Sequence, residues 1–408
     1  MTANDRFFQE LQPAAVLKHS VLAEYCTVFT SMIGRRFPGP IWLIDGYAGP
    51  GFYTSTEPGG QPIAGSPVVA MRIAAKWKGT RDLRCVFIEA DPRYAAELAS
   101  NVQPYEQSGL VPIVLAGPVQ DRLRDAWEHV AGSPVVTFLD PFGVAMPTNL
   151  MTDLLLAKGR PRPSEVLLNI NLEAVGRLDG WLEERGGSVV PKPGMRKGVE
   201  RVDAFFGDTW WREEFYRART NSASGSAAAA AEVVVAQYRK RTERTTGCLS
   251  MSIPIRRRPG HPALFHLTLF YRQPIAGYKF ADAACRANRK WRDRYRAEDL
   301  AGALTPVPDA LFDLTEHIEA TFKAEVDREE ALIITQAVGV IKSNILALLT
   351  ANGRVSVVDQ IGPVLGSTLS LAGESQIIKA WDQLADEGAV VARDKSRKLY
   401  RQDLIAKR

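Results

Sequence analysis

Trp42-Leu43-Ile44-Asp45-Gly46-Tyr47-Ala48-Gly49-Pro50-Gly51 decides how this chain is read. The apolar run from Ile41 to Ile44 reads as a buried strand, and it empties into a turn carrying Gly46, Gly49 and Gly51. Glycine accepts positive φ and has no Cβ, so a ligand can approach the backbone closely there. A strand followed by a Gly-rich turn is how open α/β sheets hold nucleotides at the carboxyl ends of their strands. The glycine spacing is not the dinucleotide fingerprint. No Lys-Ser or Lys-Thr follows, so a phosphate-cradling P-loop is excluded. An ordinary strand-turn-helix corner satisfies the same residues.

Two further strands end in chemistry. Val86-Phe87-Ile88-Glu89-Ala90-Asp91 is an apolar run closed by acids. An acid at the end of the second strand accepts hydrogen bonds from both hydroxyls of a ribose. Glu89 is the first candidate and Asp91 the reserve, although Asp91-Pro92 also reads as a helix N-cap with proline at the first helical position. Val135-Val136-Thr137-Phe138-Leu139 delivers Asp140-Pro141-Phe142-Gly143. The carbonyl of Pro141 has no N–H of its own residue beside it. With Asp140 it makes a pair of acceptors suited to the exocyclic amine of a nucleobase. Phe142 offers a platform for a base that has left its helix. A type I turn with Asp first and Pro second fits the same four residues.

With Lys18-His19, Gly65-Ser66-Pro67 and the run Arg201 to Asp208 followed by Trp210, these segments resemble the three-Cys-motif partner proteins, a methyltransferase-like family. The resemblance covers about the first two-thirds of the chain. Val16-Leu17-Lys18-His19 with the Asp45 to Gly51 loop is also similar to the large-subunit rRNA adenine N6-methyltransferases. Asp140 to Gly143 is similar to the tRNA guanine N2-dimethyltransferases. The adenine enzymes carry Asp-Pro-Pro-aromatic, whereas here Phe142 stands for the second proline and Gly143 for the aromatic.

The resemblance implies S-adenosylmethionine (SAM) as cofactor and an enzyme that methylates an exocyclic base nitrogen in DNA or RNA. It implies a cofactor site of Lys18, Asp45, Gly46, Tyr47, Ala48, Gly49, Gly51, Ser66, Glu89 and Ala90, with Gly117 and Pro118 added by their position after the third strand. Asp140, Pro141 and Phe142 are the catalytic candidates. The family name refers to cysteines in a separate partner protein. A methyltransferase-fold scaffold that binds nucleic acid and such a partner, with weak or no catalysis, is the alternative.

Five strands, 41–45, 84–89, 111–115, 135–140 and 165–170, alternate with helices such as 66–77 and 92–102, which implies a parallel sheet covered on both faces. Ala14 to Met32 reads as an amphipathic helix before the first strand. Leu249 to Arg257 and Ala263 to Arg272 read as an antiparallel hairpin completing the seven-stranded, Rossmann-like sheet of class I methyltransferases. Residues 172–225 break the alternation and read as a helical insertion over the site, ending in a flexible turn at Asn221 to Ser226. The domain plan is therefore a methyltransferase-like domain over 1–298, a linker helix over 299–337 and a winged-helix domain over 338–408. In the last, helices Ile341 to Thr350, Ser356 to Leu365 and Glu374 to Glu387 precede a hairpin of Ala389 to Arg393 with Lys398 to Arg401.

The 408 residues are 46% hydrophobic and 24% charged, the balance of a globular protein. The expectations are a cytoplasmic protein with no membrane partner. Met1 to Glu10 lacks a signal peptide's basic start and apolar core, and no apolar run nears the roughly 18 residues of a span. Four scattered cysteines and five histidines make no metal-ligand spacing, so no metal is expected. Net charge is only +5, but the basic residues cluster, which matters more for nucleic acid. Arg256-Arg257-Arg258 is one cluster. Arg393, Lys395, Arg397 and Lys398 are another, within a tail from Arg393 to Arg408 of seven basic and two acidic residues. A third is Arg289, Lys290, Arg292, Arg294 and Arg296, interleaved with Trp291 and Tyr295. Each also reads as a solvated helix or turn surface.

Overall fold

A computed structural model describes residues 13–53, 62–130, 132–141, 143–144, 146–221, 226–304 and 315–407. Phe142, Met1 to Glu10, most of the turn after Asn221, and Pro306 and Pro308 lie outside the described residues. The chain divides into two units, Met1–Arg272 and Gln273–Arg408.

Unit one is built on β1 (Ile41–Asp45), β2 (Leu83–Glu89), β3 (Pro112–Ala116), β4 (Val135–Leu139), β5 (Ser164–Asn171), β6 (Leu249–Ile255) and β7 (Phe265–Tyr271). They form one sheet in the order β3-β2-β1-β4-β5-β7-β6. Strands β1 to β5 pair in parallel, while β7 runs antiparallel to both β5 and β6. This is the seven-stranded class I methyltransferase topology expected from the sequence. Strands β1 and β4 are buried at every position, as a parallel sheet covered on both faces requires. Around the sheet lie α1 (Pro13–Ile33), α2 (Ser66–Trp77), α3 (Pro92–Gln107) and α4 (Val119–Val130). Helix α1 buries Leu17, Val21, Tyr25 and Phe29, spaced i, i+4 on one face. Asp91 caps α3, its side chain accepting from the Arg93 amide.

The order reverses between β1 and β4, and the Gly46 amide bonds the Phe138 carbonyl at 2.9 Å across that switch. Ligands bind open α/β sheets outside the carboxyl ends of the strands at such a point. Between β5 and β6 the chain forms α5 (Leu172–Gly176), a hairpin of Leu182–Arg185 with Ser188–Pro191, α6 (Arg196–Phe206), α7 (Trp210–Asn221) and α8 (Ala227–Thr246). Trp211 anchors this segment: it is fully buried, and its Nε1 donates to Asp203 at 2.9 Å.

Unit two contains α9 (Pro274–Ala303), α10 (Thr315–Asn352), α11 (Ile361–Leu365), α12 (Glu374–Asp386), and the strands β8 (Arg354–Ser356) and β9 (Asp403–Ile405), which pair antiparallel. Five expectations change here. The helix expected over Ser356 to Leu365 is only Ile361–Leu365, because Ser356 closes β8 and 357–360 form a turn. The units divide after Arg272, so α9 stands with unit two instead of closing a domain at 298. The expected linker helix and the first helix of the terminal domain are one continuous helix, α10, because no Gly-Pro break separates Glu329 from Ile341. An 18-residue window of α10 has mean hydropathy 1.8, long and apolar enough for a membrane span by composition, with 28% of it buried. Its buried residues, Ala337, Val338, Ile341, Ile345 and Leu349, lie on one face in unit two's own core. Finally, the strand returning toward Val391 is Asp403–Ile405, since Leu399–Arg401 is a 3-10 turn and the Val391 amide bonds the Ile405 carbonyl at 3.0 Å.

The third basic cluster is divided: Arg289, Lys290 and Arg294 are exposed, whereas Arg292 and Arg296 are not. Arg292 donates to both oxygens of Glu330 at 2.7 and 3.0 Å, and Arg296 donates to Glu330 and Glu329 at 2.7 Å each. These arginines are buried, as are Trp291 and Tyr295, so the group locks α9 to α10.

Candidate functional site

Asp45, Glu89 and Asp140 end β1, β2 and β4, three adjacent strands, at one edge of the sheet. Asp45 is fully buried and accepts from the Tyr47 amide at 3.1 Å, while its Oδ2 has no hydrogen-bond partner. Burial pushes its carboxyl up to about 7. The Ser66 hydroxyl and the Tyr47 amide oppose that rise, and the charges of Asp140 and Glu89 add to it. The three carboxylates therefore lie near one another at this edge of the sheet. The buried hydroxyl of Tyr47 is likewise without a partner.

The glycine loop is held by its neighbours. Ala48 bonds the Ile88 carbonyl at 3.0 Å, and the Gly49 amide donates to Glu89 Oε2 at 2.8 Å. Asn101 of α3 donates to the Pro50 carbonyl at 2.7 Å. Gly49 and Gly51 have φ of 64° and 95°, where other residues are strained. At Gly46 a Cβ would lie 2.7 Å from Leu139 Cδ2, so only glycine lets the loop leave β1 against β4. Glu89 Oε1 accepts from the Asp91 amide at 2.8 Å, so its carboxylate is fixed at both oxygens and keeps a lone pair on each. The Gly117 amide bonds the Glu89 carbonyl at 2.9 Å, bringing Gly117 and Pro118 beside the same strand end. Ser66 is buried at the start of α2, and Ala90 is exposed just past β2.

Asp140 has two side-chain partners. Lys18 of α1 donates to Oδ2 at 2.6 Å, and Asn169 of β5 donates to Oδ1 at 2.7 Å. Lys18 and Asn169 are both buried. The structure thus sets Lys18 on the candidate catalytic acid, whereas the resemblance implied a cofactor role. Pro141 is buried behind it. The neighbouring His19 is pushed down to about 4 by burial and by Lys18, against the pull of Asp140, so it is neutral at pH 7. Its ring packs 5.8 Å from that of Tyr53.

Asn169, Phe265 and Tyr53 went unremarked in the sequence. The Phe265 ring stands 4.8 Å from Lys18 Nζ and is partly exposed, so the crevice has an aromatic wall besides any given by Phe142. A polar Asn within the apolar run Val166 to Ile170 was the available signal for Asn169.

The expected nucleic-acid residues fall in both units. Arg256, Arg257 and Arg258 occupy the turn after β6, with Arg257 3.9 Å from Glu173. In unit two Arg393 is tied to Asp382 at 2.8 and 3.1 Å, whereas Lys395, Arg397 and Lys398 are exposed. Among the described residues no group of His, Cys, Asp and Glu could hold a metal ion.

No family model matches this chain, and no curated protein does. Among solved structures it is similar to M. jannaschii TYW2 in complex with AdoMet, at 10% identity over 59% of this chain and 72% of that one, with a TM-score of 0.26. It is similar to the putative transferase PH0793 from Pyrococcus horikoshii, at 12% identity over 62% of this chain and 63% of that one, with a TM-score of 0.26. It is also similar to YjhP from E. coli, at 12% identity over 61% and 90% respectively, with a TM-score of 0.23. Likenesses this distant bear no weight on function, and the strand order carries the fold.

Proposed function

We propose that unit one is a SAM-dependent methyltransferase acting on an exocyclic amine of a nucleobase in DNA or RNA. One observation carries this reading: Asp45, Glu89 and Asp140 stand at the carboxyl ends of three adjacent strands, at the switch point of a seven-stranded sheet. The donor set fits the cofactor. A buried carboxylate oxygen without a donor at Asp45 suits a ligand that brings cationic groups, and SAM carries an ammonium and a sulfonium. When bound, SAM supplies an electrophilic methyl group.

The chain's own residues do the rest. Glu89, locked by the Gly49 and Asp91 amides, presents free lone pairs to ribose hydroxyls. Gly117 and Pro118 flank the adenine. Lys18 and Asn169 hold Asp140 in one rotamer, and each of its oxygens keeps a lone pair for an amine N–H. The Pro141 carbonyl supplies the second acceptor. Two acceptors turn the amine's lone pair out of the ring's conjugation and aim it, so the gain is alignment and electrostatics. The exposed Lys395, Arg397 and Lys398 hold phosphates, in a unit read as a winged helix.

A second reading has its own observation. Both oxygens of Asp140 already have donors, which suits a scaffold that binds nucleic acid and a cysteine-motif partner without transfer. Calorimetry with SAM and a labelled-methyl assay on DNA, tRNA and rRNA pools separate the two. Heat with transfer that Asp140→Asn abolishes supports the enzyme. Heat without transfer favours the scaffold, and the absence of heat overturns the cofactor.

A further inference from the structure

A groove of about 560 Å³ in unit one is used by nothing above. Arg256, Arg257 and His261 of the β6–β7 turn line one side, Glu173 and Glu232 another, and Ala228 and Ala229 of α8 a third. It begins where the crevice ends. Phe265 pairs with Asn171 at the carboxyl end of β5, and the Leu172 amide bonds the carbonyl of Leu264, itself a lining residue, at 2.9 Å. Phe265 in turn contacts Lys18, the partner of Asp140. Phe265 therefore stands between Leu264 of the groove lining and Lys18, the partner of Asp140.

The charges in the groove are not neutralised pair by pair. Arg256 has no side-chain partner among the described residues, and Arg257 meets Glu173 only at 3.9 Å. Glu232 is instead engaged by His266 at 2.7 Å. Ala228 and Ala229 are exposed in the first turn of α8, and Ser226 makes no side-chain cap there. First-turn amides have no intrahelical acceptor and add to the positive field of the arginines.

We infer that this groove binds the phosphodiester backbone of a single-stranded segment next to the target base, with Phe265 marking where that base turns toward Asp140. The inference rests on the methyltransferase reading for the position of the base. The binding of a polyanion in the groove can be measured without it.

The test uses the full chain and a labelled single-stranded oligonucleotide, read by fluorescence anisotropy over a range of salt. Arg256→Ala with Arg257→Ala is expected to weaken binding roughly tenfold and to reduce the slope of log K against log salt by about 1.4, the value for two single-strand phosphates. Heat of SAM binding stays as in the wild type. Arg256→Lys with Arg257→Lys keeps the slope, which separates lost charge from a damaged turn. Equal affinity and slope in wild type and double alanine variant overturn the groove, as does a wild type that binds no oligonucleotide. If the slope changes but SAM gives no heat and no methyl is transferred, the groove stands and the enzymatic reading falls.

Discussion

Asp45→Asn isolates the electrostatics of the crevice. In the folded protein the carboxyl of Asp45 titrates at about 7, chiefly through burial, against 3.8 for an ordinary aspartate. A carboxyl raised by folding stabilises the protein where it is protonated. The contribution is whole below 3.8, is lost as pH climbs to about 7, and is constant beyond that. At ~1.4 kcal/mol per pH unit the loss over this window is about 4 kcal/mol. Asparagine keeps the shape and the oxygen that accepts from Tyr47, and it does not titrate. The buried Glu165, also raised to about 7 by burial, gives both proteins a similar background slope.

The variant should therefore gain on the wild type by about 2.7 kcal/mol between pH 5 and pH 7. This is read by urea unfolding of the ligand-free proteins. At pH 8 the transition temperature of the variant should be higher by several degrees, on the order of 2 °C per kcal/mol. Parallel stability curves for the two proteins would refute the buried, uncompensated carboxylate. Saturating SAM should narrow the gap at pH 8 by bringing cationic groups to the carboxylate. A gap indifferent to SAM would refute that pairing and leave the titration of the free protein standing.

Asp140→Ala strips the buried Lys18 of its counter-charge and should destabilise unit one by about 3–5 kcal/mol, with part of this recovered in Asp140→Ala, Lys18→Met; urea curves of both variants test it, and a double variant no better than the single one would refute the pairing. Glu330→Gln should destabilise unit two by a similar ~3–5 kcal/mol, because Arg292 and Arg296 stay buried. Although burial alone would raise the Glu330 carboxyl, hydrogen bonds and charge from the two arginines bring it down to about 2. The stability it contributes is full above the ordinary 4.5 and is lost as pH falls through about 2, so acid unfolding of the Gln variant should be flatter over that window. Gly46→Ala places a Cβ 2.7 Å from Leu139 Cδ2 and 3.2 Å from Val119 Cγ2, an overpacking expected to cost ~1–3 kcal/mol in thermal melts and to weaken SAM binding by shifting the loop.

The sheet was legible because its central strands are covered on both faces and so read as unbroken apolar runs closed by glycine or an acid. The hairpin of β6 and β7 was legible from Pro259-Gly260 between two apolar segments. What joins the crevice was not, because it is tertiary. Lys18 and Asp140 are 122 residues apart, and no local pattern links them. Asn169 passed unremarked inside an apolar strand, although a buried amide in such a strand needs a polar partner. The loss of the linker boundary has a simpler cause: α10 runs through it without a proline, across Val338-Gly339-Val340, and periodicity cannot show where one domain ends inside a continuous helix.

The basic clusters show why charge runs need burial before they mean anything. Arg292 and Arg296 recur at i, i+4 beside Trp291 and Tyr295, the look of a nucleic-acid face, yet Glu329 and Glu330 of α10 claim them. Arg393 goes the same way, to Asp382. Those subtractions leave the exposed Lys395, Arg397 and Lys398 of the terminal turn, the exposed Arg289, Lys290 and Arg294 of α9, and Arg256, Arg257 and Arg258 of the turn after β6. Helix α12 with the residue after it carries Glu374, Asp382, Asp386 and Glu387 against Lys379. A helix of that sign is repelled by a phosphate-lined groove, so in unit two the terminal turn and not α12 would touch nucleic acid. Contacts of that kind grip phosphate and read no sequence. On the proposed reading, any preference for one target would then come from unit one, where Asp140 and Phe265 would meet the base itself.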